Sequence, residues 1–184
     1  MSEIIAIEEA LDWLSGIGDR DFLMVSYLQA LRDLSRRTGA FREVRTLPAV
    51  AGVQVYTLPA STVQIDQVLA DAEEVPKTDA MGLDLVRPAW PTDAGTPIAW
   101  LEDQQRQNVF ELYPTPTQAG ELAAVSRIVP KVSEVPSWVD GLLAMIIAAR
   151  EASRLGETQD QPLAQALDPI ITGLMTLLFV GAEG

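Results

Sequence analysis

Asn108–Val125 reads NVFELYPTPTQAGELAAV. Two runs of alternating apolar residues flank a break made of Pro114, Pro116 and Gly120. Alternation with a period of two marks strands with one buried face, and prolines with a glycine mark the reversal between them. The expectation is a β-hairpin in which GELAAVSRIV pairs with NVFELY. No residue in it carries catalytic chemistry, so this clear local signal is architectural.

Upstream the same period continues. FREVRTLPAVAGVQVYTLP (Phe41–Pro59) reads as two strands around a turn at AVAG, because valine, tyrosine and threonine favour the pleated conformation. VQIDQVLADAEEV (Val63–Val75) reads as a third strand whose later half also fits a helix. PKTDAMGLDLVRPAWPTDAGTP (Pro76–Pro97) holds four prolines and two glycines and reads as loop. IAWLED is a further strand.

Outside this middle the period changes to that of helices. Ile4, Ile7, Leu11 and Leu14 make one stripe, stopped by Gly16 and Gly18. Asp19 caps the next helix, whose stripe is Leu23, Tyr27, Ala30, Leu31 and Leu34, with Arg32, Asp33, Arg36 and Arg37 opposite and Gly39 at its end. Near the C-terminus, Ser137 and Asp140 have capping-box spacing before a stripe of Val139, Leu142, Leu143, Ile146 and Ala149. Pro162 suits the first turn of a last helix, Pro169 kinks or divides it, and Gly181 ends it. Neither terminal pair buries its stripe alone. The expected fold is therefore α+β: a four-helix bundle from N- and C-terminal helix pairs with an inserted antiparallel β-rich subdomain. The boundaries fall at residues 1–40, 41–133 and 134–184.

The 184 residues suit one domain with a subdomain, and 48% are apolar, enough for a sizeable core. The formal charge is −13. Residues 1–48 carry −2, residues 49–130 carry −7 and residues 131–184 carry −4, so the acidity peaks in the middle. A nucleic-acid ligand needs a basic face, which this balance argues against. Cysteine and histidine are absent. That excludes disulfides, thiol nucleophiles, the Ser-His-Asp arrangement and His- or Cys-ligated zinc. The acidic start MSEIIAIEEALDW is no signal peptide, and PIITGLMTLLFVG is too short to span a bilayer, so the expectation is a soluble protein within a cell and no membrane.

Asp66, Asp71, Glu73, Glu74, Asp79 and Asp84 cluster in sequence, but their spacing fits no EF-hand loop and reads first as a solvated face. Tyr113, Lys77 and Lys131 have no visible activating partner, and no phosphate-binding glycine loop occurs. No catalytic, cofactor or metal site is expected. Arg32, Arg36, Arg37, Arg42 and Arg45 are the basic concentration. Asp33 stands four residues before Arg37 and supports it as a helix pair. Trp90 and Trp100 flank PTDAGTPIA; Trp100 is expected to cover the sheet, and Trp90 is open as an anchor. The candidate subunit-interface residues are Arg32, Arg36, Arg37, Arg42 and Trp90.

In order along the chain, the helical hairpin, VAGVQVYTLPASTVQIDQVLAD, AWPTDAGTPIAWLED, FELYPTPTQAGELAAVSRIVP and VPSWVDGLLAMIIAAREASRLG resemble the head-to-tail adaptor (connector) proteins of short-tailed bacteriophages. The similarity covers roughly Ile4 to Val180. EEVPKTDAMGLDLVRP departs from it, lacking the family's glycine-bearing turn, and no long C-terminal arm follows the last helix. The resemblance implies a structural virion protein without catalysis or cofactor. It implies a ring of copies, twelvefold like the portal protein above it, that extends the DNA channel and offers a platform to a tail or nozzle protein. DNA passes through without tight binding. The place is the virion neck, assembled in the bacterial host cytoplasm. The rigid β platform is expected to leave its edges free for neighbouring copies. A head-completion protein of long-tailed phages is the alternative reading; a carboxylate- and metal-dependent enzyme and a non-viral interaction module are more distant ones.

Overall fold

The computed structural model describes residues 6–10, 20–155 and 161–182. The chain divides into two compact units: Arg42–Ile128, and the flanking segments Met1–Phe41 with Val129–Gly184.

In the flanking unit, helix α1 (Arg20–Thr38) turns Leu23, Tyr27, Ala30, Leu31 and Leu34 fully inward, the stripe its periodicity expects. Gly39 ends it at φ 64°, and the Gly39 N–H donates to the Ser35 carbonyl at 2.9 Å. That left-handed conformation suits a residue without Cβ. Residues 6–10 are helical, and Ala6, Ile7 and Ala10 join the same core. The rest of the expected first helix, the Gly16–Gly18 stop and the Asp19 cap lie outside the described residues.

Three-residue 3₁₀ turns at Val132–Glu134 and Ser137–Val139 lead into helix α3 (Asp140–Leu155), so Ser137 lies in a turn before the helix and is not its cap. Helix α4 (Gln161–Ala182) holds Pro169 inside one undivided helix. Its Leu167, Ile171 and Met175 pack with Leu143 and Ile147 of α3 and the stripe of α1. Truncating Leu143, Ile147, Leu167, Ile171 or Met175 to alanine removes contacts worth about 2–5 kcal/mol.

The other unit holds ten strands in three sheets, with helix α2 (Ala80–Val86) among them. Strands β1 (Arg42–Ala49), β10 (Gly120–Ile128), β3 (Thr62–Ala70) and β4 (Glu73–Val75) form one antiparallel sheet, in the order β1-β10-β3-β4. Strands β2 (Val55–Thr57), β8 (Val109–Tyr113), β7 (Ala99–Glu102) and β5 (Lys77–Thr78) form the second, in the order β2-β8-β7-β5. Strands β6 (Ala94–Gly95) and β9 (Thr115–Pro116) form a third, parallel pair. Ile65, Val68, Leu122 and Ala124 from the first sheet meet Tyr56, Trp100, Phe110 and Leu112 from the second in one core. Period-two alternation supplies both inner faces.

Two expectations are corrected, and one left open is decided. First, the molecule is not a four-helix bundle with a β appendage. Among the described residues it is an α+β fold with ten strands in three sheets, three long helices, the short stretch at 6–10, and α2 within the β unit. Short strands hidden in proline- and glycine-rich sequence enlarge the β part, and pairing is mixed, because β5 runs parallel to β7 and β6 to β9.

Second, the hairpin at Asn108–Val125 does not form. Strand β8 lies between β2 and β7, whereas β10 lies between β1 and β3 in the other sheet. Val109, Phe110, Leu112 and Tyr113 are buried on both faces of β8, as in a central strand. Pro114 and Pro116 lack the amide hydrogens that a ladder needs, and the segment between the strands crosses from sheet to sheet. Third, the later half of VQIDQVLADAEEV is strand: Asp71 (φ 49°) and Ala72 (φ 66°) make a two-residue turn into β4.

Candidate interaction surfaces

Arg32, Arg36 and Arg37 stand exposed on the last turns of α1, where cations complement the helix dipole. The expected Asp33–Arg37 pair is replaced. Asp33 Oδ2 lies 3.1 Å from Arg150 Nη1 on α3, so tertiary packing takes the carboxylate across the groove. That open groove, about 730 Å³, has a floor of Ile146, Ile171 and Met175, and its walls carry Asp33, Arg37, Arg150 and Asp168. Both charge signs meet there.

Arg42 belongs to the other unit and has a different task. Between Val125 and Ser126 of β10 the register of β3 slips by one residue, which leaves Asp66 as a bulge. Asp66 accepts from Arg127 Nε at 2.9 and 3.0 Å, and Arg42 Nε approaches it at 3.5 Å. The Arg127 and Asp66 side chains are only 12% and 17% exposed. The bulge aims the carboxylate at two neighbouring strands, and the cluster ties β1, β10 and β3 together.

Trp90 lies in a 3₁₀ turn after α2 and is half-buried. Its Nε1 donates to Asp84 Oδ1 at 2.7 Å, and its ring meets Tyr113 edge-on at 6.1 Å. Tyr113 donates to Asp93 Oδ2 at 2.9 Å, and Arg87 Nη1 lies 3.5 Å from the same oxygen. The bond to Tyr113, with Asp93 alongside, raises the Arg87 pKa above its ordinary value. Trp90 thus pins the loop to β8 while keeping one face open. Trp100 is fully buried between the sheets, edge-on to Phe110, under the Lys77 ammonium.

The acidic run disperses. Asp66 fills the bulge, Asp71 bonds the Glu121 amide at 2.9 Å, Asp79 caps α2 through the Gly82 amide at 2.6 Å, and Asp84 holds Trp90. Glu73 and Glu74 lie exposed on edge strand β4. Among the described residues no three acidic side chains converge as a metal would need.

The sheet edges are protected, contrary to expectation. Edge strand β1 turns Glu43 and Arg45 to its inner face, bonded to each other at 2.7 Å, and carries Pro48. Inward charges and proline both discourage strand addition. The other edge strands, β2, β4 and β5 with β6 and β9 of the third sheet, are two or three residues long.

Among the described residues, large apolar side chains stand exposed on strands, turns and loops, at Val44, Val50, Val53, Val55, Ile98 and Trp138, and in groups on the helices. Met24, Val25 and Leu28 stand on α1, Met81, Leu85 and Val86 on α2, and Ile170, Leu174 and Leu177 on α4. Met24, Val25 and Leu28 were legible as apolar residues off the α1 stripe, whereas Met81, Leu85 and Val86 fell in a stretch read as loop and no stripe was read for the last helix.

A sequence model of one protein family, described as SU10 adaptor protein, matches residues 2–171. The chain belongs to the SU10 adaptor protein family. It is thus a bacteriophage head-to-tail adaptor, a structural virion component that joins portal and tail parts. No curated protein matches the adaptor in sequence. Among the adaptor's described residues, no helix is long and apolar enough to cross a membrane.

Proposed function

We propose that copies of this adaptor form a ring of twelve beneath the portal of a short-tailed phage. The ring extends the DNA channel and carries the nozzle or tail protein. The observation that carries this reading is the family match over residues 2–171. The acidic balance supports it: a net charge of −13 repels a sliding phosphate backbone. Asp66, Asp71, Asp79 and Asp84 each bond within the fold, which suits a structural subunit. In this reading residues 1–40 and 134–184 form the helical body and residues 41–133 the platform. Arg32, Arg36, Arg37, Arg42 and Trp90 lie at contacts between copies, and assembly takes place in the host cytoplasm. The isolated chain stays monomeric until a portal offers many weak contacts at once.

Cryo-electron microscopy of the virion neck tests this directly. A twelvefold ring of this chain between portal and nozzle is the expected result. A tail tube below the ring would instead point to a head-completion protein of a long-tailed phage. Light scattering on the purified chain checks the monomer, and a large ring without portal would overturn template dependence.

A further inference from the structure

The exposed arc of α4 is divided. One flank carries Ile170, Leu174 and Leu177, with Gly173 open beside them; the other carries Gln165, Asp168, Thr172 and Thr176. A helix flank that faces only water gains nothing from this segregation. The last turn of α4 also holds no basic residue, so the helix itself supplies no cation to its terminal carbonyls.

Helix α1 presents the complement. Opposite its buried stripe stand Met24, Val25 and Leu28, with Arg32 one turn further on the same face. From Met24 to Arg32 is eight residues, about 12 Å of helix, and from Ile170 to Leu178 is the same. Laid side by side in the same direction, the two apolar rows meet and Arg32 reaches the C-terminal end of α4. Its aliphatic stem covers Leu177 on the way.

We propose that the Met24–Leu28 face of α1 in one copy packs along the Ile170–Leu177 flank of α4 in the next copy, with Arg32 at the end of that helix. The proposal rests on the ring reading and names its contact. Two different faces meet, so the contact propagates from copy to copy, as a ring requires. The protected sheet edges oppose strand addition between copies, which favours a contact made by helices.

The lack of native cysteine makes the test clean. Virions are grown with the adaptor carrying Leu28→Cys and Leu174→Cys together, oxidised, and run on a non-reducing gel with immunoblotting for the adaptor. Both positions are exposed, so folding is preserved. The expected result is a ladder of multimers from the double variant and monomer alone from each single variant. A control pair on the polar arcs, Gln29→Cys with Thr176→Cys, gives monomer. Dimer from either single variant, or a ladder from the control pair, overturns the face assignment. So does crosslinking to another virion protein. Monomer from the double variant in virions whose necks show the ring overturns the contact and leaves the ring standing. Necks without a ring of this chain overturn both.

Discussion

The carboxylate of Asp71 occupies the space beside Gly120: a Cβ built on that glycine would lie 2.7 Å from Asp71 Oδ1. Asp71 is held there by the Glu121 amide and by its own place in the turn. It cannot step aside without losing that bond. Gly120→Ala is therefore expected to destabilise the β unit by about 1–3 kcal/mol through overpacking. Urea denaturation followed by tryptophan fluorescence measures it. In an Asp71→Ala background the cost of the same substitution falls, because the clash partner is gone; additive costs would contradict this.

Ala72 is expected to be improvable. Its φ of 66° places a Cβ where it crowds the backbone, and both turn residues lie in the left-handed region. Ala72→Gly relieves about 1 kcal/mol of that strain, less the extra entropy of glycine in the unfolded chain. The urea midpoint should rise. A lower midpoint would mean that the turn is not strained.

The Asp66–Arg127 pair should be the most sensitive ionic contact of the β unit. Arg127→Met leaves a largely buried carboxylate with only a neutral donor, Gln64 Nε2 at 3.2 Å, and the Arg42 guanidinium at 3.5 Å. The expected cost is about 2–3 kcal/mol, below that of a fully buried pair because of the partial exposure. Arg42→Ala is expected to cost under about 1 kcal/mol. Equal costs would dismiss the ranking.

Asp103 offers a pH test. Its pKa lies below the ordinary aspartate value, first because Arg106 bonds its carboxylate at 2.6 and 3.0 Å and next because the Gln105 amide donates to it. A depressed folded value means that the contribution is present above the unfolded pKa and is lost as pH falls through the folded one. Carboxyl chemical shifts followed by NMR should titrate below those of a free aspartate, and Arg106→Ala should move the midpoint up. An unchanged midpoint would remove Arg106 as the cause.

The helices were legible where one stripe meets one core. Leu23, Tyr27, Ala30, Leu31 and Leu34 declare their burial by spacing alone, and Gly39 declares the end of its helix. The sheets were less so, because alternation marks a strand without naming its partner. NVFELY and GELAAV are neighbours in sequence and belong to different sheets. Two-residue strands such as Lys77–Thr78 carry no period at all. Helix α2 hid among prolines, though Asp79 three residues before Gly82 was a readable cap. Of the arginine set, charge marked the residues but not their tasks: Asp33 turns to Arg150 and Arg42 to Asp66.

The pairing of β1 with β10 runs from Arg42↔Arg127 to Ala49↔Gly120, so the first and last strands of the inserted unit lie side by side. Paired Cα atoms across such a ladder are only about 5 Å apart. A gene segment encoding this unit can be exchanged, lengthened or shortened between phages while both ends stay adjacent. Recombination then changes the β unit and leaves the packing of the helical unit untouched. Insertions and deletions within the unit are thus absorbed between two fixed, adjacent strands.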